Sequence, residues 1–249
     1  MTDTVIPTSP GNTPTHGAPP GAVIRRHRLP TRLWHWVNAA SVFIMIGSGL
    51  MIFNAHPRLY WGDFGANLDP AWLELPRFPG WITIPESYSL ALGRRWHLVF
   101  ALVLAFNLLA FMIVSLINGH FTHDLRIRLA ELRPHHLWHD VREHWAFRFH
   151  DPEQPGAFNI LQKLAYASAI FVLLPLVVIS GLGLSPGMDA AWPWLLDLLG
   201  GRQSARSIHF LAMASLTGFV VVHLALVILA GPINEVRSMI TGRWKVPHG

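Results

Sequence analysis

The chain has 249 residues, 51% of them hydrophobic and only 13% charged, about half the ~25% charge of an ordinary soluble domain. Its mean hydropathy is +0.35, and the apolar residues form four blocks longer than the ~18 residues that mark a membrane-spanning helix, which excludes a water-soluble core. The absence of cysteine excludes iron–sulfur clusters, thioether-attached haem, thiolate zinc sites and disulfides, and 19 Lys/Arg against 14 Asp/Glu reads beside membrane spans as a topology signal rather than as affinity for nucleic acid.

Residues 1–24 are rich in Pro, Gly and Thr without an apolar run and are expected to form a disordered tail. No hydrophobic region of a cleavable signal precedes the first apolar block, which reads as an uncleaved anchor. Residues 25–240 form the expected membrane domain, and 241–249 a second tail. Span one is expected from Leu33 to Phe53, with Pro30-Thr31 as a helix start. Span two runs from Trp96 to Ile117, span three from Leu164 to Leu184 and span four from Ile208 to Ala230. Spans of this length reach roughly 31–35 Å, enough to cross a bilayer of ~30 Å with some tilt. Pro175 inside span three is expected to kink it. No repeat is apparent between the two helix pairs.

Orientation follows from the basic residues. Thirteen Lys/Arg, counting Lys163 at the mouth of span three, lie before span one, between spans two and three or after span four, against six in the segments on the other side. Both termini are therefore expected in the cytoplasm. The inner loop between spans two and three carries His120, His123, His135, His136, His139, His144 and His150. Its Pro134 to Phe149 segment reads as a basic amphipathic helix on the inner membrane surface, with metal binding the less favoured alternative. The outer loop, about 54–95, is Pro-rich and carries Trp61, Trp72 and Trp81. It reads as an interfacial aromatic belt, as a docking surface for an outer partner, or as both.

Ionisable residues inside a span are costly and point to function. The four clear cases are His35, His97, His209 and His223. His209 and His223 are 14 residues apart on one helix, hence within ~40° of the same face and ~21 Å apart along the axis. With the termini inside, His97 shares the outer level with His209, and His35 shares the inner level with His223. Two imidazoles facing each other across helices suit the two axial positions of a b-type haem, and leave no open coordination site for oxygen. Zinc would need a further ligand at the same depth. A proton relay does not explain the pairing by depth.

Five segments carry a resemblance. They are Arg32-Leu33-Trp34-His35-Trp36-Val37-Asn38, the run from Ile52 to Gly62, the run from Phe158 to Tyr166, the run from Ser180 to Met188, and Ala205-Arg206-Ser207-Ile208-His209-Phe210. Over residues 25–240 the chain resembles the b-type cytochrome subunits of nickel–iron hydrogenases and formate dehydrogenases, most closely the thiosulfate-reductase-type cytochrome b subunits. The resemblance implies a four-helix transmembrane core holding two b-type haems, with ligands at His35, His97, His209 and His223. It implies electron exchange between a membrane quinone or quinol and a periplasmic catalytic subunit, which could be molybdenum-containing, at a bacterial inner membrane. A quinone site near the inner haem is likewise implied, with Asn38 and Ser41 as the nearest polar residues.

Other residues have sharper and plainer readings. Arg94, Arg95 and Arg206 either snorkel to lipid phosphates or bind the propionates of the outer haem by charge-assisted hydrogen bonds. His56 is either a haem-propionate or partner contact or an exposed loop histidine. Gly47, Gly49, Gly181 and Gly183 read as small residues that let helices pack closely. The expected fold class is an all-α, four-helix integral membrane protein, with metal (iron) ligands His35, His97, His209 and His223 and no complete catalysis of its own. The rivals are a haem-free membrane anchor or small transporter, and a stand-alone quinol-linked reductase. A transporter should show broken helices at midplane, whereas these histidines lie towards the span ends.

Overall fold

The computed structural model describes residues 21–119, 133, 135, 138, 141, 142 and 160–246. In chain order the elements are β1 (Val23–Arg25), α1 (Leu29–Phe53), β2 (Arg58–Leu59), β3 (Leu73–Glu74), α2 (Leu90–Ile117), α3 (Ile160–Leu184), α4 (Pro186–Ala191), α5 (Trp194–Leu198), α6 (Arg202–Leu229), α7 (Pro232–Thr241) and β4 (Arg243–Lys245). The strands form two antiparallel ribbons, β1 with β4 and β2 with β3. Among the described residues this is an all-α membrane fold with four helices long and apolar enough to span a bilayer.

Helices α1, α2, α3 and α6 have 25, 28, 25 and 28 residues, and each starts a turn or so before its apolar block. Hydropathy marks where hydrocarbon begins, while the backbone stays helical through the polar interfacial turn. Large apolar side chains of α2, among them Leu98, Leu102, Phe106 and Leu109, face outward. Such a surface is unfavourable in water and ordinary against lipid. The inward face of α1 carries Asn38, Ser41, Val42, Met45, Ser48 and Met51, the three- and four-residue spacing of one helical stripe. In α3, residues Ala169–Leu173 are π-helical directly before Pro175. Pro175 has no N–H and crowds the carbonyl four residues back, so a widened turn absorbs the defect that the sequence predicts there.

The described residues fall into two compact units. One takes its residues from Met1–Trp36, Ala110–Ser168 and Val220–Gly249, the other from Val37–Leu109 and Ala169–Phe219. In the first, β1 and β4 pair Ile24 with Trp244, and Trp244 is fully buried against Ile24, Val246 and Ala22. Glu235 of α7 accepts from the Trp244 indole at 2.9 Å and from Arg26 at 3.0 Å, while the Arg26 guanidinium lies over the Trp244 ring. Gly242 ends α7 at φ +79°, and a Cβ there would lie 2.7 Å from the His27 carbonyl oxygen, so only glycine suits this turn. Residues 21–25 and 242–246, at the inner edges of the two expected tails, thus fold against each other. The Pro134 to Phe149 helix and the inner-loop histidines other than His135 lie outside the described residues.

In the second unit, the segment after α1 is laced onto the start of α6. Ser207 Oγ donates to the Tyr60 carbonyl at 2.6 Å and accepts from the Trp72 indole at 3.0 Å. The Gly62 amide donates to Ser204 Oγ at 2.7 Å. Asn54 closes the same segment by exchanging two hydrogen bonds with the Phe78 backbone, both at 2.7–2.8 Å.

Candidate functional site

The second unit brings His97 of α2 and His209 of α6 together, with ring centroids 6.1 Å apart and planes at 71°. Each imidazole meets a serine on the neighbouring span. Ser48 Oγ lies 3.0 Å from His97 Nδ1, and Ser180 Oγ lies 3.0 Å from His209 Nδ1. The next residue in both cases is glycine. A Cβ on Gly49 would lie 3.4 Å from His97 Cε1, and one on Gly181 would lie 3.2 Å from His209 Cε1. Both imidazoles therefore rest on helix surface that a larger residue would push away. Apolar side chains, including Val42, Met45, Leu104, Val177, Met213 and Leu216, line the space beside the two rings.

The first unit brings His35 of α1 and His223 of α6 together, with ring centroids 6.3 Å apart and planes at 59°. Trp36 stands edge-on to His35 at 5.2 Å and donates its indole N–H to the Met239 carbonyl at 3.1 Å. His35 Nδ1 is buried and takes no hydrogen bond among the described residues.

Two imidazoles that each set a nitrogen ~2 Å from one shared metal hold their ring centroids ~6 Å apart, so both pairs fit a metal between them. Among the described residues no group of three or more His, Cys, Asp and Glu gathers. The pairs therefore suit a cofactor that supplies the remaining ligands itself, as a porphyrin does, better than bare zinc.

Arg206 is half-buried and donates to the backbone carbonyls of Arg58, at 3.0 Å, and His56. It ties the loop after α1 to the helix that carries His209. Arg94 and Arg95 are exposed on α2. His56 stacks on Tyr60 at 5.7 Å, and its Nε2 is buried without a hydrogen bond among the described residues. Burial, then the cations of Arg206 and Arg58, hold this imidazole below its ordinary pKa. Asn38 and Ser41 are both buried, and Asn38 accepts from Asn107 at 3.2 Å. Of the four small residues, Gly47 serves the loop between α1 and α2, since a Cβ there would meet Ile84 at 2.8 Å.

Sequence reasoning missed Ser48 and Ser180. The available signal was the tripeptide Ser-Gly-Leu, which recurs at 48–50 and 180–182 in spans one and three. A serine in an apolar span normally bonds its own helix, so nothing marked these two as partners of distant histidines.

Residues 26–242 match the prokaryotic cytochrome b561 family. A putative protein-methionine-sulfoxide reductase subunit YedZ1 of Azospira oryzae is 30% identical over 210 residues, covering 80% of this chain and 87% of that protein. Probable Ni/Fe-hydrogenase B-type cytochrome subunits of Azotobacter vinelandii and Cupriavidus necator are 26% and 25% identical, each covering 87–88% of this chain and 84–87% of their own length. No solved structure matches. With the family match spanning nearly the whole chain, four membrane-length helices and two facing histidine pairs, the chain belongs to the prokaryotic cytochrome b561 family and is a multi-pass, b-haem-binding electron-transfer subunit of the membrane.

Proposed function

We propose that this chain is a dihaem electron wire. In this reading His97 with His209, and His35 with His223, would each hold one b-type haem. Electrons pass between the membrane quinone pool and a periplasmic oxidoreductase subunit at a bacterial inner membrane, with both termini in the cytoplasm. The observation that carries the reading is the pair of ring separations, 6.1 and 6.3 Å. Both kinds of relative are named as oxidoreductase subunits, which supports a separate catalytic partner here.

A haem held by these imidazoles would supply one-electron ferric/ferrous chemistry. The residues of this chain supply the rest. The apolar lining beside His97 and His209 keeps water away and lowers the local dielectric. Arg94 and Arg95, beside the start of span two, are the proposed propionate anchors. Arg206 contributes through whatever donor capacity its two backbone acceptors leave. Asn38 and Ser41, buried beyond His35, are the proposed polar contacts of a quinone.

The test is a reduced-minus-oxidised visible spectrum with haem quantified per polypeptide. Two haems are expected, and each histidine-to-alanine variant should lose or convert one. His97→Ala and His209→Ala should look alike, as should His35→Ala and His223→Ala. A chain without a haem spectrum returns the reading to a membrane anchor, and grouping of His97→Ala with His223→Ala breaks the pairing. A reporter fused after Gly249 should be active only in the cytoplasm, and periplasmic activity would reverse the two levels.

A further inference from the structure

Ser48 and Ser180 occupy equivalent places on α1 and α3, and both are fully buried. A hydroxyl has one hydrogen to give. Ser48 Oγ spends it on the Ile44 carbonyl at 2.6 Å, and Ser180 Oγ on the Leu176 carbonyl at 2.5 Å. Only oxygen lone pairs remain for the imidazoles at 3.0 Å. Each imidazole must therefore carry its hydrogen on Nδ1 and donate it to the serine. Nε2 of both rings is left with a free lone pair.

We infer that Ser48 and Ser180 are twin positioning residues that set the redox potential and the ligand-plane angle of the iron held between His97 and His209. The inference rests on the proposed ligand role of those two histidines. An N–H donated to an oxygen pushes electron density into the ring and makes Nε2 the stronger donor, which favours ferric over ferrous iron. A hydroxyl already polarised by its own donated bond is the better acceptor. Burial leaves no water to replace it. Because each Oγ is pinned to its helix backbone, each ring is also held against rotation about its axis towards the metal, at the observed 71° between planes. Ordinary serine back-bonding in a span would explain the first hydrogen bond alone. It does not explain an imidazole at the same distance on both serines, with glycine as the next residue each time. The His35–His223 pair has no such device at His35, whose Nδ1 takes no hydrogen bond among the described residues.

The experiment uses the full haem-loaded chain in detergent, with Ser48→Ala, Ser180→Ala and the corresponding threonine variants. It reads potentiometric midpoints and the ferric electron-paramagnetic-resonance spectrum. Each alanine variant should raise one haem's ferrous-to-ferric ratio at fixed potential by about threefold to tenfold, the latter equal to ~59 mV for one electron. The same haem's low-spin signal should shift, because its axial planes are freed, and the other haem should not change. Threonine should restore both values, since its Oγ1 can make the same bond to the carbonyl four residues back. Alanine variants that keep full haem and wild-type midpoints and spectra would overturn the inference. If alanine variants lose haem, recovery of haem with threonine supports the hydrogen bond, and loss in the threonine variants too refutes it in favour of packing volume. Full haem retention in His97→Ala and His209→Ala would instead overturn the ligand reading, whatever the serines do.

Discussion

Replacing Trp244 with alanine should open the ribbon that joins the two ends of the described chain. Trp244 is fully buried, donates to Glu235 at 2.9 Å and lies under Arg26 at 4.8 Å. Removing a buried tryptophan costs ~3–5 kcal/mol. Trp244→Phe keeps the ring and its cation contact, and Glu235 keeps Arg26 at 3.0 Å. Its cost should therefore be nearer the ~1.5 kcal/mol of one hydrogen bond to a charged group. The loss starts at the ribbon, which lies outside the four membrane-length helices, so it should appear first as sub-global opening rather than as a lower melting temperature. Amide hydrogen exchange at Val23–Arg25 is the direct assay. A cost of ~3 kcal/mol corresponds to ~100-fold faster exchange, against ~10-fold for the phenylalanine variant. The effect should reach His35, because Trp36, edge-on to it, donates to Met239 of α7. Haem assigned to His35 and His223 should then be lost more readily than the other. Unchanged exchange at Val23–Arg25 in Trp244→Ala would refute the reasoning.

Gly181→Ala should weaken haem retention more than Gly49→Ala, because the added Cβ would lie 3.2 Å rather than 3.4 Å from the histidine ring. Both gain ~1 kcal/mol of helix propensity, which offsets the clash at Gly49 but not at Gly181, and haem per polypeptide after dilution measures the difference. Trp81 is 79% exposed, so Trp81→Ala should leave haem content intact and weaken co-purification of a periplasmic oxidoreductase. Trp72→Ala should disturb the fold as well, because its indole bonds Ser207 two residues before His209. If the two variants behave alike in haem content, the structural role of Trp72 is wrong. Burial, then the Arg26 cation, lower the His27 pKa to about 4 from 6.5. The folded state then binds fewer protons than the unfolded state between those values, so stability rises with pH across that window. The terminal ribbon should thus be fully stable above pH 6.5 and loosen as pH falls towards 4. His27→Gln should remove that pH dependence, as read by exchange at the same amides.

How much was legible in the sequence follows from the range of each signal. Four spans, the histidines within them and the shared face of His209 and His223 rest on composition and helical period over neighbouring residues, and these survive any packing arrangement. Pro175 is an equally local signal of a helix defect, but that the defect takes the form of a π-helical turn was not read from the sequence. The rest depends on contacts between residues far apart in sequence. Ser48 meets His97 across 49 positions and Arg206 meets the Arg58 carbonyl across 148. Arg26 meets Glu235 across 209. A serine, an arginine or a tryptophan reads the same in sequence whether it faces lipid, its own backbone or a distant side chain. Only the tertiary structure decided that Arg206 binds loop carbonyls, that Trp72 and Trp244 are anchors, and that two Ser-Gly steps hold two histidines, because burial removes water and leaves each polar group to find its partner within the protein.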